Sequence, residues 1–233
     1  KKQGYEETFL SNLIFYGAIL GILGARIYYV LFNLDYYLKD PIQIIEIWNG
    51  GLAIHGAIIT GLIWFIYYSR KHKKNPLKLL DLAVPSLILA QAIGRWGNFF
   101  NSEAHGPEVA RETLENLNIP NFIINGMNIE GKYYHPTFYY ESVWDILGFI
   151  MLILLRKKLT LKPGQLTGIY FMWYSFIRFF IESLRTDSLM LGKIKIAQLI
   201  SILLFLLGLY LVLRKKKDTR INRLKERNEN NEQ

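Results

Sequence analysis

Hydrophobic residues fall in six long blocks along the chain, and short polar or charged segments separate each block from the next. Each block has roughly 17 to 25 residues, the length that a helix needs to cross the hydrocarbon core of a bilayer. The pattern predicts an all-α membrane protein, a polytopic helical bundle with six transmembrane helices at 12–34, 52–69, 79–98, 137–155, 165–184 and 194–213.

Basic residues cluster next to these blocks on alternate sides, at 1–2, 70–74, 156–158 and 214–217, whereas the opposite segments are mainly acidic. Because positively charged loops stay in the cytoplasm, both ends of this chain are predicted to be cytoplasmic. The net charge of +9 belongs to this pattern, so it does not indicate a nucleic-acid partner. Three basic residues are exceptions, because they lie in a segment on the mainly acidic side: Arg185, Lys193 and Lys195.

Residues 1–213 are predicted to form one transmembrane domain, which includes an ordered extracytoplasmic cap at 102–136. Within the cap, a helical piece over 108–117 precedes short extended runs that are broken at Asn125-Gly126 and at Glu130-Gly131. The remainder, 214–233, alternates basic residues with Glu and Asn. It is predicted to be a charged cytoplasmic tail, either a solvated or a frayed helix.

Cysteine is absent, which excludes a cysteine nucleophile and thiolate metal sites, so any thiol chemistry needs a thiol from a substrate. His55, His105 and His135 are not at helical ligand spacing, and the sequence has no HExxH or Gly-x-Ser-x-Gly motif. No metal site is therefore expected.

Three arginines lie deep inside hydrophobic blocks, where a charge is costly unless it has an anionic partner. At 1.5 Å of rise per residue, Arg26 lies about 20 Å, Arg95 about 24 Å and Arg178 roughly 18 to 20 Å from the cytoplasmic end of its block. Glu182 and Arg185 follow Arg178 at i+4 and i+7 and therefore share its helix face.

Each of these residues also has a purely structural interpretation. Arg178 and Glu182 could form a structural ion pair, and Arg26 could reach the outer interface. Glu141, which forms an i, i+4 pair with Asp145, could stabilise the start of its helix.

The position of the polar residues favours a shared site over independent ion pairs. Arginines, a histidine and several acids from five blocks are predicted at one depth in the outer leaflet. Arginine rather than lysine is used at every such position, which suits bidentate recognition of phosphate. The nearest phosphate at that depth belongs to a lipid headgroup.

A ten-residue motif ends the third block, at 94–103: Gly-Arg-Trp-Gly-Asn-Phe-Phe-Asn-Ser-Glu. Four further motifs accompany it: Gly-Ala-Arg-Ile-Tyr-Tyr at 24–29, Gly-Gly-Leu-Ala-Ile-His-Gly at 50–56, His-Pro-Thr-Phe-Tyr-Tyr-Glu at 135–141 and Arg-Phe-Phe-Ile-Glu-Ser-Leu-Arg at 178–185. In these motifs the chain resembles, over nearly its whole length, the bacterial prolipoprotein diacylglyceryl transferases, whose signature is Gly-Arg-x-Gly-Asn-Phe-x-Asn-x-Glu.

The resemblance implies an enzyme of the bacterial cytoplasmic membrane that starts lipoprotein maturation. It implies transfer of the diacylglyceryl group of phosphatidylglycerol to the lipobox cysteine thiol in a prolipoprotein signal peptide, with formation of a thioether and release of glycerol phosphate. The partners that the resemblance implies are phosphatidylglycerol, the signal peptide and the lipid bilayer. It implies no metal and no soluble cofactor, and the active site is expected to face the outer leaflet. Positioned arginines fit this reaction, because they stabilise charge on a leaving phosphate.

Matched residue by residue, the resemblance implies a phosphate clamp made by Arg95 and by Arg178, with Glu182 holding Arg178. His55 is the first candidate for the base that takes the thiol proton, because a free thiol is mostly neutral at physiological pH. Glu103 or the phosphate itself are alternatives for that role.

The remaining motif positions are expected to contact or shape the headgroup site. Asn98 and Asn101 bind the headgroup glycerol or fix the backbone at the helix end, and Glu103 orients Arg95 or the headgroup. Further expected residues are Gly106, which permits a tight turn beneath the cap, Arg185, nearer the surface, and Arg26, which also binds the lipid.

The chain departs from the family at its start. Family members usually have one more helix in front, with a His-Trp-Tyr-Gly element and a functionally important tyrosine, so this chain is expected to be a fragment. Two alternatives to the transferase stay open. A transporter or scramblase that binds anionic lipid is expected to carry polar residues through the cytoplasmic half of the blocks, which they do not enter here; a non-catalytic scaffold would bind phosphatidylglycerol without turnover.

Overall fold

The structure is a computed structural model that describes residues 5–186, 190–192 and 194–214. Almost all of the predicted tail, 215–233, lies outside the described residues, as do Lys1, Lys2 and Lys193. Within the described ranges the chain forms nine α-helices and two short β-hairpins.

The long helices follow the order of the hydrophobic blocks. They are α1 (Glu7–Phe32), α3 (Ile54–Lys71), α4 (Pro76–Phe100), α7 (Thr137–Lys158), α8 (Gln165–Leu184) and α9 (Ile196–Leu213). Short helices lie between them: α2 (Leu34–Tyr37), α5 (Arg111–Asn116) and α6 (Asn121–Gly126). The strands are β1 (Asn128–Ile129), β2 (Lys132–Tyr133), β3 (Met190–Leu191) and β4 (Ile194–Lys195).

By length and composition, four helices of the described chain are apolar enough to cross a membrane, namely α1, α4, α7 and α9. The all-α polytopic membrane fold is therefore confirmed, whereas the total of six spans stays a prediction. The other two long helices are less apolar, since α3 ends in Arg70 and Lys71 and α8 contains Arg178 and Glu182.

The cap differs in part from the prediction. The run before Asn125-Gly126 is the helix α6, not an extended segment, so this prediction was wrong. Its apolar residues repeat at helical spacing, and Ile123 and Ile124 pack into a small core with Leu114, Ile119, Met127 and Phe138 of α7. Glu130-Gly131 does form a tight turn between β1 and β2, with φ of 52° and 85° at its two residues, as two-residue hairpin loops require.

The chain divides into two compact units, residues 1–79 and 80–233. In the first unit, α1 and α3 approach closely through two glycines. A Cβ atom on Gly56 would collide with the carbonyl of Gly24, and one on Gly24 would collide with the side chain of Thr60. Such small residues permit this close contact between the two helices.

In the second unit, Asp81 of α4 fixes the start of α8. Its carboxylate accepts hydrogen bonds from the backbone N–H of Gly164 at 2.6 Å, from the N–H of Thr167 at 2.8 Å and from the Thr167 hydroxyl at 2.7 Å. The first N–H groups of a helix have no partner within the helix, and a carboxylate there also suits the helix dipole. Asp81 therefore anchors the first turn of α8 to α4.

Candidate functional site: a buried cluster of arginines and carboxylates

Glu141 of α7 joins two arginines from neighbouring helices in the second unit. Its Oε1 accepts a hydrogen bond from Nη1 of Arg178 on α8 at 2.6 Å, and its Oε2 pairs with Nε of Arg95 on α4. The Glu141 side chain is only 3% exposed. One carboxylate therefore brings the two predicted phosphate ligands together.

Arg178 has a second carboxylate partner on its own helix. Its Nη2 donates to Oε2 of Glu182 at 2.6 Å, and the Glu182 side chain is buried. This is the i, i+4 contact that the sequence predicts. The two side-chain amino groups of Arg178 are thus both held by carboxylates.

A pair of tryptophans aligns α7 with α8. The indole Nε1 of Trp144 donates to the carbonyl of Trp173 at 3.1 Å, and the indole of Trp173 donates to the carbonyl of Trp144 at the same distance. The two rings stack with centroids 4.2 Å apart. Because the helices run antiparallel, this alignment places Glu141, one turn before Trp144, beside Arg178, just over one turn after Trp173.

The ion pairs of the cluster join two cations to two anions, and the buried carboxyl group of Asp145 lies near Glu141 and Arg95. Two guanidinium groups, Arg95 and Arg178, face two carboxylates, Glu141 and Glu182. Arg95 is the more exposed arginine, at 21% against 14%, and it also donates to the hydroxyl of Tyr174 through a long 3.4 Å contact. An incoming anion would therefore reach Arg95 first, where it could replace Glu141.

The second half of the signature forms a turn at the end of α4. The side-chain amides of Asn98 and Asn101 donate to Oε1 of Glu103, at 3.1 and 3.3 Å, and the Glu103 N–H donates to the Asn98 carbonyl at 3.0 Å. Ser102 and Ala104 on either side have positive φ. The two asparagines thus hold the Glu103 side chain at the helix end, and the two roles expected of them stay predictions.

The expectation that Glu103 orients Arg95 needs correction. In the described chain the carboxylate paired with Arg95 is Glu141, and Glu103 is engaged by the two asparagines. Glu103 still has its alternative expected role, contact with the headgroup, which stays a prediction.

Gly106 links this turn to the start of α7. Its N–H donates to the His135 carbonyl at 2.9 Å, and a Cβ atom at this position would lie 2.7 Å from that of His135. Only glycine permits so close an approach. Burial lowers the pKa of His135, whose Nδ1 lies 3.0 Å from the Tyr140 hydroxyl.

Arg26 has a different environment from the one predicted. Its guanidinium, in the first unit, donates to the backbone carbonyls of Ile44 at 2.9 Å, Gly50 at 2.7 Å and Gly51 at 2.9 Å, and also to that of Gln43. Its side chain packs on the ring of Tyr37. Among the residues that the structure describes, no carboxylate pairs with Arg26, and its donors contact the loop; its expected role in lipid binding stays a prediction.

His55 and Arg185 lie at helix ends. His55 is exposed in the first turn of α3, with its ring centroid 5.9 Å from that of Tyr28. The Gly50-Gly51 segment held by Arg26 leads into this turn. Arg185 is the residue after α8, and its carbonyl accepts a hydrogen bond from Nζ of Lys195 at 2.9 Å.

Sequence reasoning did not place Glu141, Tyr174 or Asp81 in the site, and for Glu141 it gave only a structural role at the start of its helix. For Glu141 a signal existed, because it is the last residue of the motif at 135–141 and a carboxylate inside a hydrophobic block requires a cationic partner. Tyr174 lies one turn before Arg178, the spacing that places it on the same face. Asp81 gave no such signal, since its partners lie 83 and 86 residues away in sequence.

Comparison with known proteins gives consistent matches. The family model described as prolipoprotein diacylglyceryl transferase matches residues 1–214. A relative from Staphylococcus xylosus, named phosphatidylglycerol-prolipoprotein diacylglyceryl transferase, is 51% identical over 227 residues, which cover 97% of this chain and 81% of the relative. Relatives of the same name from Staphylococcus carnosus and Staphylococcus haemolyticus are 52% and 53% identical, covering 91% of this chain and 77% and 75% of their own lengths.

Proposed function

Because the chain belongs to the prolipoprotein diacylglyceryl transferase family, we propose that it transfers the diacylglyceryl group of phosphatidylglycerol to the lipobox cysteine of a prolipoprotein signal peptide. The observation that carries this proposal is the buried cluster in which Glu141 joins Arg95 to Arg178. Such a cluster holds two guanidinium groups ready for a phosphate, with a carboxylate that the phosphate can replace.

The proposed reaction is a displacement at carbon. The cysteine sulfur forms a bond to the glyceryl carbon, the bond from that carbon to the phosphate oxygen breaks, and its electron pair stays on the oxygen. The phosphate thereby changes from a singly charged diester to a monoester that gains a further negative charge. Arg95 and Arg178 stabilise this developing charge, which exceeds the charge of the bound substrate and so favours the transition state.

Substrate binding is an exchange of anions on Arg95. Without lipid, each guanidinium group already pairs with a carboxylate, so a phosphate that binds Arg95 has to take the place of Glu141 there. Arg95 is the more exposed of the two arginines. The phosphate therefore replaces Glu141 on Arg95, while Glu182 keeps Arg178 in place.

The proton of the thiol goes to a base, for which His55 is the first candidate and Glu103 or the leaving phosphate are the alternatives. A His55→Gln variant that keeps full activity assigns the proton to one of the other two groups. We also propose that the chain lies in the bacterial cytoplasmic membrane, with both ends in the cytoplasm and the cluster toward the outer leaflet; the alternating basic clusters support this orientation.

The proposal is tested with purified protein, phosphatidylglycerol vesicles and a peptide that contains a lipobox cysteine. Transfer adds a diacylglyceryl mass to the peptide and releases glycerol phosphate, and both products are measured in the same sample. Arg95→Ala and Arg178→Ala are each expected to lower both products by roughly a hundredfold or more. Arg70→Ala, at the exposed end of α3, is the matched control and is expected to keep both.

The two alternatives give other results. A lipid transporter or scramblase moves labelled phosphatidylglycerol between leaflets without modifying the peptide, and a scaffold binds the lipid without either product. Full transfer by Arg95→Ala or Arg178→Ala would overturn the role of the cluster even if the chain is a transferase.

A further inference from the structure

An apolar groove with a volume of about 300 Å³ lies between α8 and α9. Two small residues that face each other, Ser175 on α8 and Ser201 on α9, leave the space open, and Phe176, Phe179 and Phe205 are among the side chains that line it. Elsewhere the two helices are in close contact, since a Cβ atom on Gly168 would lie 2.6 Å from the Gly208 carbonyl. The groove is thus a local gap between tightly packed helices.

We propose that this groove binds one acyl chain of the phosphatidylglycerol molecule whose phosphate lies on Arg95 and Arg178. The inference rests on the proposed function and deepens it, because it assigns a part of the substrate to a part of the protein. The groove thereby contributes to acyl-chain preference.

The position of the groove relative to Arg178 supports this assignment. Ser175 and Phe179 flank Arg178 on α8, so the groove begins at the depth of the cluster. Successive side chains of a helix point in directions about 100° apart. Measured around the surface of α8, Phe179 therefore lies roughly 10 Å from the side that carries Arg178. One leaflet of the hydrocarbon core is about 15 Å deep, so an acyl chain is long enough to reach from a phosphate on Arg178 into the groove.

The chemistry of the lining selects an acyl chain over a peptide. The groove surface is almost entirely apolar, and the Ser201 hydroxyl is engaged by the carbonyl of Ala197 at 2.7 Å. An extended peptide would bring backbone polar groups that this lining cannot satisfy. A methylene group is about as large as a water molecule, which takes up about 30 Å³ in the liquid. The groove volume of about 300 Å³ therefore accommodates roughly ten methylene groups.

The first test fills the groove. Ile202→Trp places a large side chain in the lining, whereas Leu203→Trp, at the next and more exposed position of α9, lies outside it and is the matched control. For Ile202→Trp, kcat/KM is expected to fall about tenfold with dipalmitoyl phosphatidylglycerol, equivalent to the loss of about two buried methylene groups. With dihexanoyl phosphatidylglycerol it is expected to stay unchanged, because short chains do not extend into the groove.

The two proposals fail in different ways in this experiment. If the unmodified protein transfers neither lipid, the proposed function is wrong. If it transfers both and Ile202→Trp lowers both equally, or lowers neither, only the groove assignment is overturned.

A second test does not depend on turnover. A photoreactive group is placed in the acyl chain of phosphatidylglycerol and, separately, of phosphatidylcholine, and the labelled residues are found by peptide mass spectrometry. Labelling within 175–180 and 201–206 is expected to be several-fold stronger with phosphatidylglycerol, and Arg95→Ala is expected to abolish that preference. Equal labelling by both lipids would mean that bulk bilayer lipid fills the groove, and the assignment would be wrong.

Discussion

Arg26 and Arg178 are both arginines inside hydrophobic helices, yet the protein neutralises them by different means. Arg26, in the first unit, is surrounded by backbone carbonyls of the segment that follows α2. Arg178, in the second unit, is held by two carboxylates, one of which it shares with Arg95. The first environment uses neutral dipoles, and the second uses full charges.

The difference separates a structural arginine from one suited to anion binding. Carbonyl dipoles cannot leave as a unit, because they belong to the loop that Arg26 organises, so a phosphate would have to disrupt that loop. A carboxylate side chain can be exchanged for another anion of similar geometry, since a guanidinium group can donate two parallel hydrogen bonds to a carboxylate or to a phosphate. We therefore propose the carboxylate cluster as the lipid site, whereas the hydrogen bonds of Arg26 hold the Gly50-Gly51 segment.

Alanine substitutions should separate the two environments most strongly. Arg178→Ala is expected to lower transfer by roughly a hundredfold to a thousandfold, as loss of one charge-stabilising group does, while the protein stays in the membrane. Arg26→Ala is expected to lower the free energy of unfolding by about 3 to 5 kcal/mol, because several carbonyls lose their donor, with little loss of activity per folded molecule. Activity and thermal unfolding are measured on the same preparations. Loss of transfer by Arg26→Ala at unchanged unfolding temperature would place Arg26 in the lipid site.

The shared carboxylate offers a finer test within the cluster. Glu141→Gln removes the anion that competes with phosphate, so KM for phosphatidylglycerol is expected to fall. It also leaves both arginines less well positioned, and kcat is expected to fall by roughly a hundredfold. Glu182→Gln, which contacts Arg178 but not Arg95, is the matched variant and is expected to leave KM nearly unchanged. An unchanged KM in Glu141→Gln would contradict the exchange of anions.

These two environments also show how far the sequence could go. The length of the hydrophobic blocks predicted the long helices, and the i, i+4 spacing predicted the Arg178–Glu182 pair. Both features depend on residues that are close in sequence. Depth in the membrane predicted that Arg26 and Arg178 need partners, but it could not distinguish carbonyls from carboxylates. That distinction depends on the path of the 43–51 segment and on the alignment of α7 with α8, which are set by contacts between distant residues.

The alignment of α8 can be disturbed from its far end. Asp81→Ala removes three hydrogen bonds at the start of α8 and is expected to lower the free energy of unfolding by about 2 to 3 kcal/mol. Transfer is expected to fall only moderately, because the tryptophan pair still aligns α7 with α8. Asp81→Asn keeps one acceptor oxygen and should recover part of the stability. A loss of activity as large as that of Arg178→Ala would mean that Asp81 alone sets the position of the cluster.

The smallest expected effect concerns the carbonyl environment of Arg26. Gly50 and Gly51 both have positive φ, of 87° and 75°, so alanine is strained at either position, by about 1 to 3 kcal/mol. A Cβ atom at Gly51 would also collide with Nη1 of Arg26, whereas at Gly50 it would meet open space. Gly51→Ala is therefore expected to destabilise the protein by about 1 kcal/mol more than Gly50→Ala, the order of one hydrogen bond. In the Arg26→Ala background this difference should become smaller, because only the Tyr29 ring, 3.0 Å away, stays close to the new Cβ atom. A difference of unchanged size would show that the two glycines act independently of Arg26.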